Sequence, residues 1–122
     1  MIYQQMRVIV AGSRTITDCN WIYEELDKYK NHMSVILSGH ANGVDKIGEK
    51  YAKDNGIKLE VYPADWKRYG RSAGYIRNAE IVQKADGLIA FWDGESKGTE
   101  HVIKEALGND IFVIVNTWKR RK

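Results

Sequence analysis

Cysteine occurs once, at position 19, among 122 residues. A single thiol excludes an intrachain disulfide, and with it the small disulfide-framework folds. Proline also occurs once, at position 63, so no proline-rich linker divides the chain. No apolar run approaches the ~18 residues of a membrane span. Residues 1–7 lack a basic stretch followed by an apolar one, so no secretory signal is expected and the expected compartment is cytoplasmic. An excess of one charge is missing too. The formal charge is +3, but Lys119-Arg120-Arg121-Lys122 supply four of the 19 basic residues. Without them 15 basic residues face 16 acidic ones, a body at −1. The body is therefore not a basic nucleic-acid-binding domain. The tail offers non-specific contact with phosphates, or is a solvated end. His32, His40, His101 and Cys19 show no metal-ligand spacing, and neither a metal nor a resident cofactor is expected.

What is there is ordinary globular material. Apolar residues make up 43% and charged residues 29%. A chain of this length buries roughly two-thirds of its unfolded surface, which suffices for one core. One domain is expected over residues 1–118, with 119–122 as a basic tail.

Five apolar runs, at 6–11, 34–38, 58–62, 87–92 and 111–115, alternate with helical patterns. Three are near-continuous β-branched or aliphatic stretches, as in parallel strands covered on both faces. The run at 58–62 alternates instead, with Leu59 and Val61 against Lys58, Glu60 and Tyr62, and reads as an edge strand. Helical spacing links Ile22, Leu26, Tyr29 and Met33, and again Val44, Ile47, Gly48, Tyr51 and Ala52. Thr17-Asp18 starts the first helix and Asn55-Gly56 stops the second. Further helices are expected over about 72–84 and 98–107. The expected fold class is therefore α/β: a Rossmann-like three-layer sandwich with a five-stranded parallel sheet in order 3-2-1-4-5 and helices on both faces. In such sheets ligands bind beyond the carboxyl ends of the strands.

Three loops at that rim carry the candidate chemistry. They are Gly12-Ser13-Arg14-Thr15, then Ser38-Gly39-His40-Ala41-Asn42-Gly43-Val44-Asp45, and Asp93 through Thr99 with Ser96 and Gly98. Each sets glycine and hydroxyl residues ahead of an expected helix start. Bare N–H groups and the helix dipole there suit phosphate. None is a P-loop or a Gly-x-Gly-x-x-Gly fingerprint. In the third segment, Arg77 offers a bidentate fork and Asn78 can pair with a base edge or ribose hydroxyl. Arg77 is expected to matter more for binding than the flexible Lys97. Trp66 and Tyr69 either stack on a base or cover the sheet edge. Asp45 either caps its helix or holds a ribose.

The string of motifs resembles the YspA/YpsA-related branch of the SLOG superfamily. The residues that carry it are Gly12-Ser13-Arg14, the stretch from Ser38 to Asp45, Ala64-Asp65-Trp66, Gly70 through Asn78, and Ser96-Lys97-Gly98-Thr99. They run in the family's order over about residues 6–115. The resemblance implies a Rossmann-like sheet and a site for a nucleotide or nucleotide-derived ligand. The wider superfamily includes Lonely-Guy phosphoribohydrolases, the DNA-processing protein A domain and sensors of ADP-ribose-type signals. Against the family pattern, His40 stands where a second glycine is frequent, Asn42 replaces a frequent arginine and Tyr75 a frequent proline. Lonely-Guy enzymes carry Gly-Gly-x-Gly-Thr-x-Glu. Here Glu100 comes one place early and His101 stands at the glutamate's position.

Three functions compete at this level. The first is a binding module for a nucleotide-derived metabolite of the ADP-ribose or nucleotide-sugar type. The second is hydrolysis of the N-glycosidic bond of a nucleoside monophosphate, with Glu100 or Asp93 as the acid and Arg77 as a supporting group. The third is nucleic-acid interaction. A homo-oligomer is expected, since small chains of this fold often pair.

Overall fold

The structure is a computed structural model that describes residues 5–118. The basic end at 119–122 lies outside the described residues. The element order is β1 (Met6–Gly12), α1 (Cys19–Asp27), β2 (Met33–Ser38), α2 (Val44–Asp54), β3 (Lys58–Val61), α3 (Trp66–Tyr69), α4 (Ala73–Val82), β4 (Gly87–Trp92), α5 (Lys97–Gly108) and β5 (Phe112–Thr117). All four strand pairings are parallel, and the order is β3-β2-β1-β4-β5. Parallel strands need crossovers, and the crossovers put helices on both faces.

Alternation along the strands splits the core in two. Val8, Val10, Ile36, Ile89 and Phe91 meet α1 and α2 through Ile22, Leu26, Val44, Tyr51 and Ala52. Ile9, Leu37, Leu88 and Ala90 meet α4 and α5 through Ile81, Val82, Val102 and Ala106. β3 is an edge strand with exposed Lys58 and Val61, as its alternation implied. Glu60 on β3 takes a bidentate pair from Arg7 of β1, at 2.9 and 2.6 Å, and a hydrogen bond from the Tyr62 hydroxyl.

The helical patterns hold with three corrections. The first helix does not reach Met33. It stops at Asp27, a 3-10 turn covers Lys30–His32, and Met33 opens β2 opposite Met6. A buried methionine satisfies either period, so spacing alone could not separate the two. The segment after β3 carries an extra single-turn helix, α3, capped by the Asp65 carboxylate on the Arg68 N–H at 3.1 Å. The loop after β1 does not run straight into a helix: Ile16 to Asp18 intervene, and the Asp18 carboxylate caps α1 on the Trp21 N–H at 3.1 Å. The other two loops do lead directly into α2 and α5.

Candidate functional site

A cavity of about 250 Å³ lies at the carboxyl rim of the sheet. Ala11 and Gly12 end β1 at its floor, and Arg14 enters from the loop that follows. Ala41 and Asp45 come from the β2–α2 connection. Trp66, Arg71, Gly74, Tyr75, Arg77 and Asn78 come from α3 through α4. Ser96, Gly98, Thr99 and Val102 close it from α5. The gathering follows from topology, because β1 sits centrally between β2 and β4 and so do their loops.

Arg77 is the hub. Its Nη1 donates to the carbonyl of Gly39 and, at 3.4 Å, to that of Tyr62. Its Nε donates to Asn78 Oδ1 at 2.9 Å. Gly39 makes this possible: a Cβ there would sit 2.6 Å from Arg77 Cζ and 2.9 Å from Asp45 Oδ2. Asp45, in the first turn of α2, is only 4% exposed. Its oxygens accept from the N–H groups of Gly12 and Ala41, both at 3.3 Å. Burial pushes its carboxyl up to about 6, against the pull of the Ala41 N–H, Arg77 and the Gly12 N–H. Burial likewise lowers the Arg77 pKa, opposed by the Asp45 charge. Gly43 has φ +79, and a Cβ on it would lie 2.7 Å from the Arg14 backbone, so glycine is required where α2 starts.

The start of α5 is built by neighbours. The Asp93 carboxylate accepts from the N–H groups of Glu95 (2.9 Å) and Ser96 (2.8 Å) and from the Thr15 hydroxyl (3.0 Å). Desolvation works against its charge, but these backbone bonds, with the Thr15 and Ser13 hydroxyls, outweigh it and lower its pKa. Ser96 precedes α5 without a side-chain cap, so it does not cover the N–H groups that any helix start leaves without intrahelical acceptors. Asn78 ties α4 to this point. Its Nδ2 lies 3.3 Å from the Gly98 carbonyl oxygen and 3.2 Å from His101 Nδ1. Tyr75 stacks on His101 with ring centroids 4.4 Å apart.

The structure brings together Gly12, Arg14, Asp45, Trp66, Arg77, Asn78, Ser96, Gly98 and Thr99 from the residues singled out in the sequence. It puts others beside the cavity in supporting positions. Ser13 is buried, and its Oγ accepts from the Asp93 N–H at 3.1 Å. Ser38 is fully buried, and its hydroxyl donates to Glu49 Oε2 at 2.7 Å. His40 adopts φ +65, in the left-handed region that favours glycine. Its Nδ1 meets Glu49 Oε2 at 2.8 Å, and Lys46 donates to its Nε2 at 2.8 Å. Gly39 lies under Arg77, Gly43 starts α2, Asp93 braces α5, and Asn42 is an exposed loop residue. Glu100 does not line the cavity and pairs with Lys104 at 3.8 Å. Lys97 is exposed and outside the lining as well.

Arg71 and Tyr75 line the cavity without having been singled out as ligand groups. Both stand inside the 70–78 motif, and that motif was the signal available. Among the described residues no cluster of three or more His, Cys, Asp or Glu is arranged to hold a metal.

The sequence profile of the YspA, cpYpsA-related SLOG family (YAcAr) matches residues 6–69, more than half of the chain. The chain belongs to this family. The Gene 61 protein of Mycobacterium phage D29 is 36% identical to this YAcAr chain over 118 residues, covering 88% of it and 94% of the phage protein. The crystal structure of DNA processing protein A from Streptococcus pneumoniae superposes with a TM-score of 0.71 over 93% of the YAcAr chain. At 21% identity that likeness is one of fold, and the chain spans half of that longer protein. Among the described residues no helix is long and apolar enough to cross a membrane.

Proposed function

We propose that the rim cavity binds a nucleotide-derived metabolite of the ADP-ribose or nucleotide-sugar type. The observation that carries this reading is the charge of the lining: Arg14, Arg71 and Arg77 with the first turn of the 12-residue α5, against the single carboxyl of Asp45. Phosphate oxygens suit the arginine forks and the helix start. The base or ribose suits the half-exposed faces of Trp66 and Tyr75, 52% and 47% exposed. Binding rather than turnover is supported by the position of Glu100 and His101 outside the lining, since acid–base catalysis needs hydrogen-bond reach. The test is a thermal-shift screen of adenosine monophosphate, ADP-ribose and nucleotide sugars, followed by chromatography of the incubated ligand. A ligand at 100 times its dissociation constant adds about 2.7 kcal/mol of apparent stability. No shift with any of them refutes the reading.

A second reading is favoured by one specific feature. Trp66, Tyr69 and Tyr75 are exposed beside exposed Lys67, Arg68 and Arg71. Aromatic faces interleaved with cations suit single-stranded nucleic acid, with a terminal nucleotide in the cavity. Quenching of tryptophan fluorescence by an oligothymidylate, in the full chain and in a chain cut after residue 118, separates the two. Quenching that survives the cut supports this second reading. Quenching lost with the tail makes the tail a non-specific contact.

A further inference from the structure

The inference rests on the rim cavity being an oxyanion site and concerns the one acid that lines it. Charged groups of five elements surround the site of Asp45, Arg71 of the turn between α3 and α4 among them. Arg77 approaches from α4 and Glu49 lies one turn further along α2. Arg14 projects from the loop after β1 into the same cavity. His40, on the loop after β2, and Lys46, on α2, are engaged with Glu49 and with each other. The two N–H groups that Asp45 accepts stand at 3.3 Å, at the long end for such bonds. No residue bonds both of its oxygens tightly, and Asp45 is among the residues that line the cavity.

We propose that Asp45 is the proton-accepting residue of the cavity: when an oxyanion enters, its carboxylate takes one proton from solvent and donates that hydrogen to the anion. An anion entering beside a buried carboxylate raises that carboxylate's pKa, which favours one of the two taking a proton even with Arg14, Arg71 and Arg77 in the lining. Sulfate and the pyrophosphate diester of ADP-ribose do not titrate near neutrality, so the proton goes to Asp45. The neutral carboxyl keeps acceptor capacity for Gly12 and Ala41 and gains one O–H donor. Arg77, relieved of the Asp45 charge, then serves the ligand alone. Burial has already moved Asp45 most of the way towards neutrality, so protonation near pH 7 costs little. An oxyanion without a titratable proton of its own therefore binds with proton uptake from solvent, whereas a phosphate monoester can supply that proton itself.

The probes are ADP-ribose and inorganic sulfate, titrated calorimetrically into the full chain at pH 7.5 in two cationic buffers of different ionisation enthalpy. The expected result is uptake of about one proton per ADP-ribose, with affinity falling about tenfold per pH unit from 6.5 to 8.5. Sulfate is expected to compete with ADP-ribose, less strongly as pH rises. Asp45→Asn is expected to bind without proton uptake and with a flat pH profile. Uptake is expected to persist in His40→Gln and His101→Gln. If Asp45→Asn does not fold, the wild-type buffer comparison decides alone. Binding without proton uptake, or uptake lost in either histidine variant, overturns this inference and leaves the cavity an anion site. Binding of neither probe at pH 6.5 or 8.5 overturns both.

Discussion

Replacing Arg77 by methionine keeps most of the aliphatic stem and removes the fork, so it isolates what the guanidinium does. In the structure that group donates to the Gly39 and Tyr62 carbonyls and to Asn78 Oδ1. A charge-assisted hydrogen bond of this kind contributes about 1.5–3 kcal/mol. The Tyr62 contact, at 3.4 Å, is weak, and Asn78 keeps its contacts to Gly98 and His101. About 2 kcal/mol is therefore expected from lost hydrogen bonding. A second loss depends on pH. Arg77 pulls the Asp45 pKa down, so without it that pKa rises further. Each unit of rise costs about 1.4 kcal/mol wherever Asp45 is ionised in the wild type, and nothing where it is neutral in both chains. The total is then about 3 kcal/mol at pH 7.5 and about 2 kcal/mol at pH 5. Urea unfolding of both chains at the two pH values, followed by tryptophan fluorescence, measures it. A loss that is equal at both pH values, or larger at pH 5, would refute the coupling between Arg77 and Asp45.

Asp45 and Glu60 predict the pH profile of the ligand-free chain from opposite signs. The Asp45 pKa is raised to about 6, so its stabilisation is full below its unfolded value and is lost as pH rises through about 6. The Glu60 pKa is lowered to about 2, first by the Arg7 hydrogen bonds, so its contribution is present above its unfolded value and is lost as pH falls towards 2. Urea midpoints are expected to peak at about pH 4–4.5 from this pair and to fall towards pH 6, and a monotonic rise from pH 4 to 8 would contradict that. Gly12→Ala is expected to cost about 3 kcal/mol, because its Cβ would press on the Phe91 carbonyl and lie 2.7 Å from Val44 Cγ2. A loss below about 1 kcal/mol in the same assay would show that the floor of the cavity yields. Glu100→Ala is expected to leave ligand-induced thermal shifts unchanged, and release of adenine from adenosine monophosphate at the slow wild-type level. Robust wild-type release abolished by Glu100→Ala would make this chain an enzyme.

The sequence by itself determined the layer architecture and the rim. Near-continuous β-branched runs such as Val8-Ile9-Val10 read as strands covered on both faces. Asn55-Gly56 ends α2 because the glycine adopts φ +65 there. The loops at 12–15, 38–45 and 93–99 had to meet once the sheet was parallel, since such sheets put every strand-to-helix connection at one end. Tertiary structure alone decided what each loop residue does. Ser13 and Ser38 look like phosphate-binding hydroxyls in the sequence, yet neighbouring elements draw them inward as braces for Asp93 and Glu49. Arg71 and Tyr75 were not singled out as ligand groups in the sequence, yet the turn after α3 and the first turn of α4 carry them to the cavity. Asp45 reads as a helix-start acid, and only its burial under Arg77 and Gly39 moves its titration towards neutrality. Local pattern fixes the period and the face of an element. The partners a polar group finds, and so its charge and its role, depend largely on contacts from other elements, such as those of Asp45 with Gly12, Ser13 with Asp93 and Arg77 with Gly39.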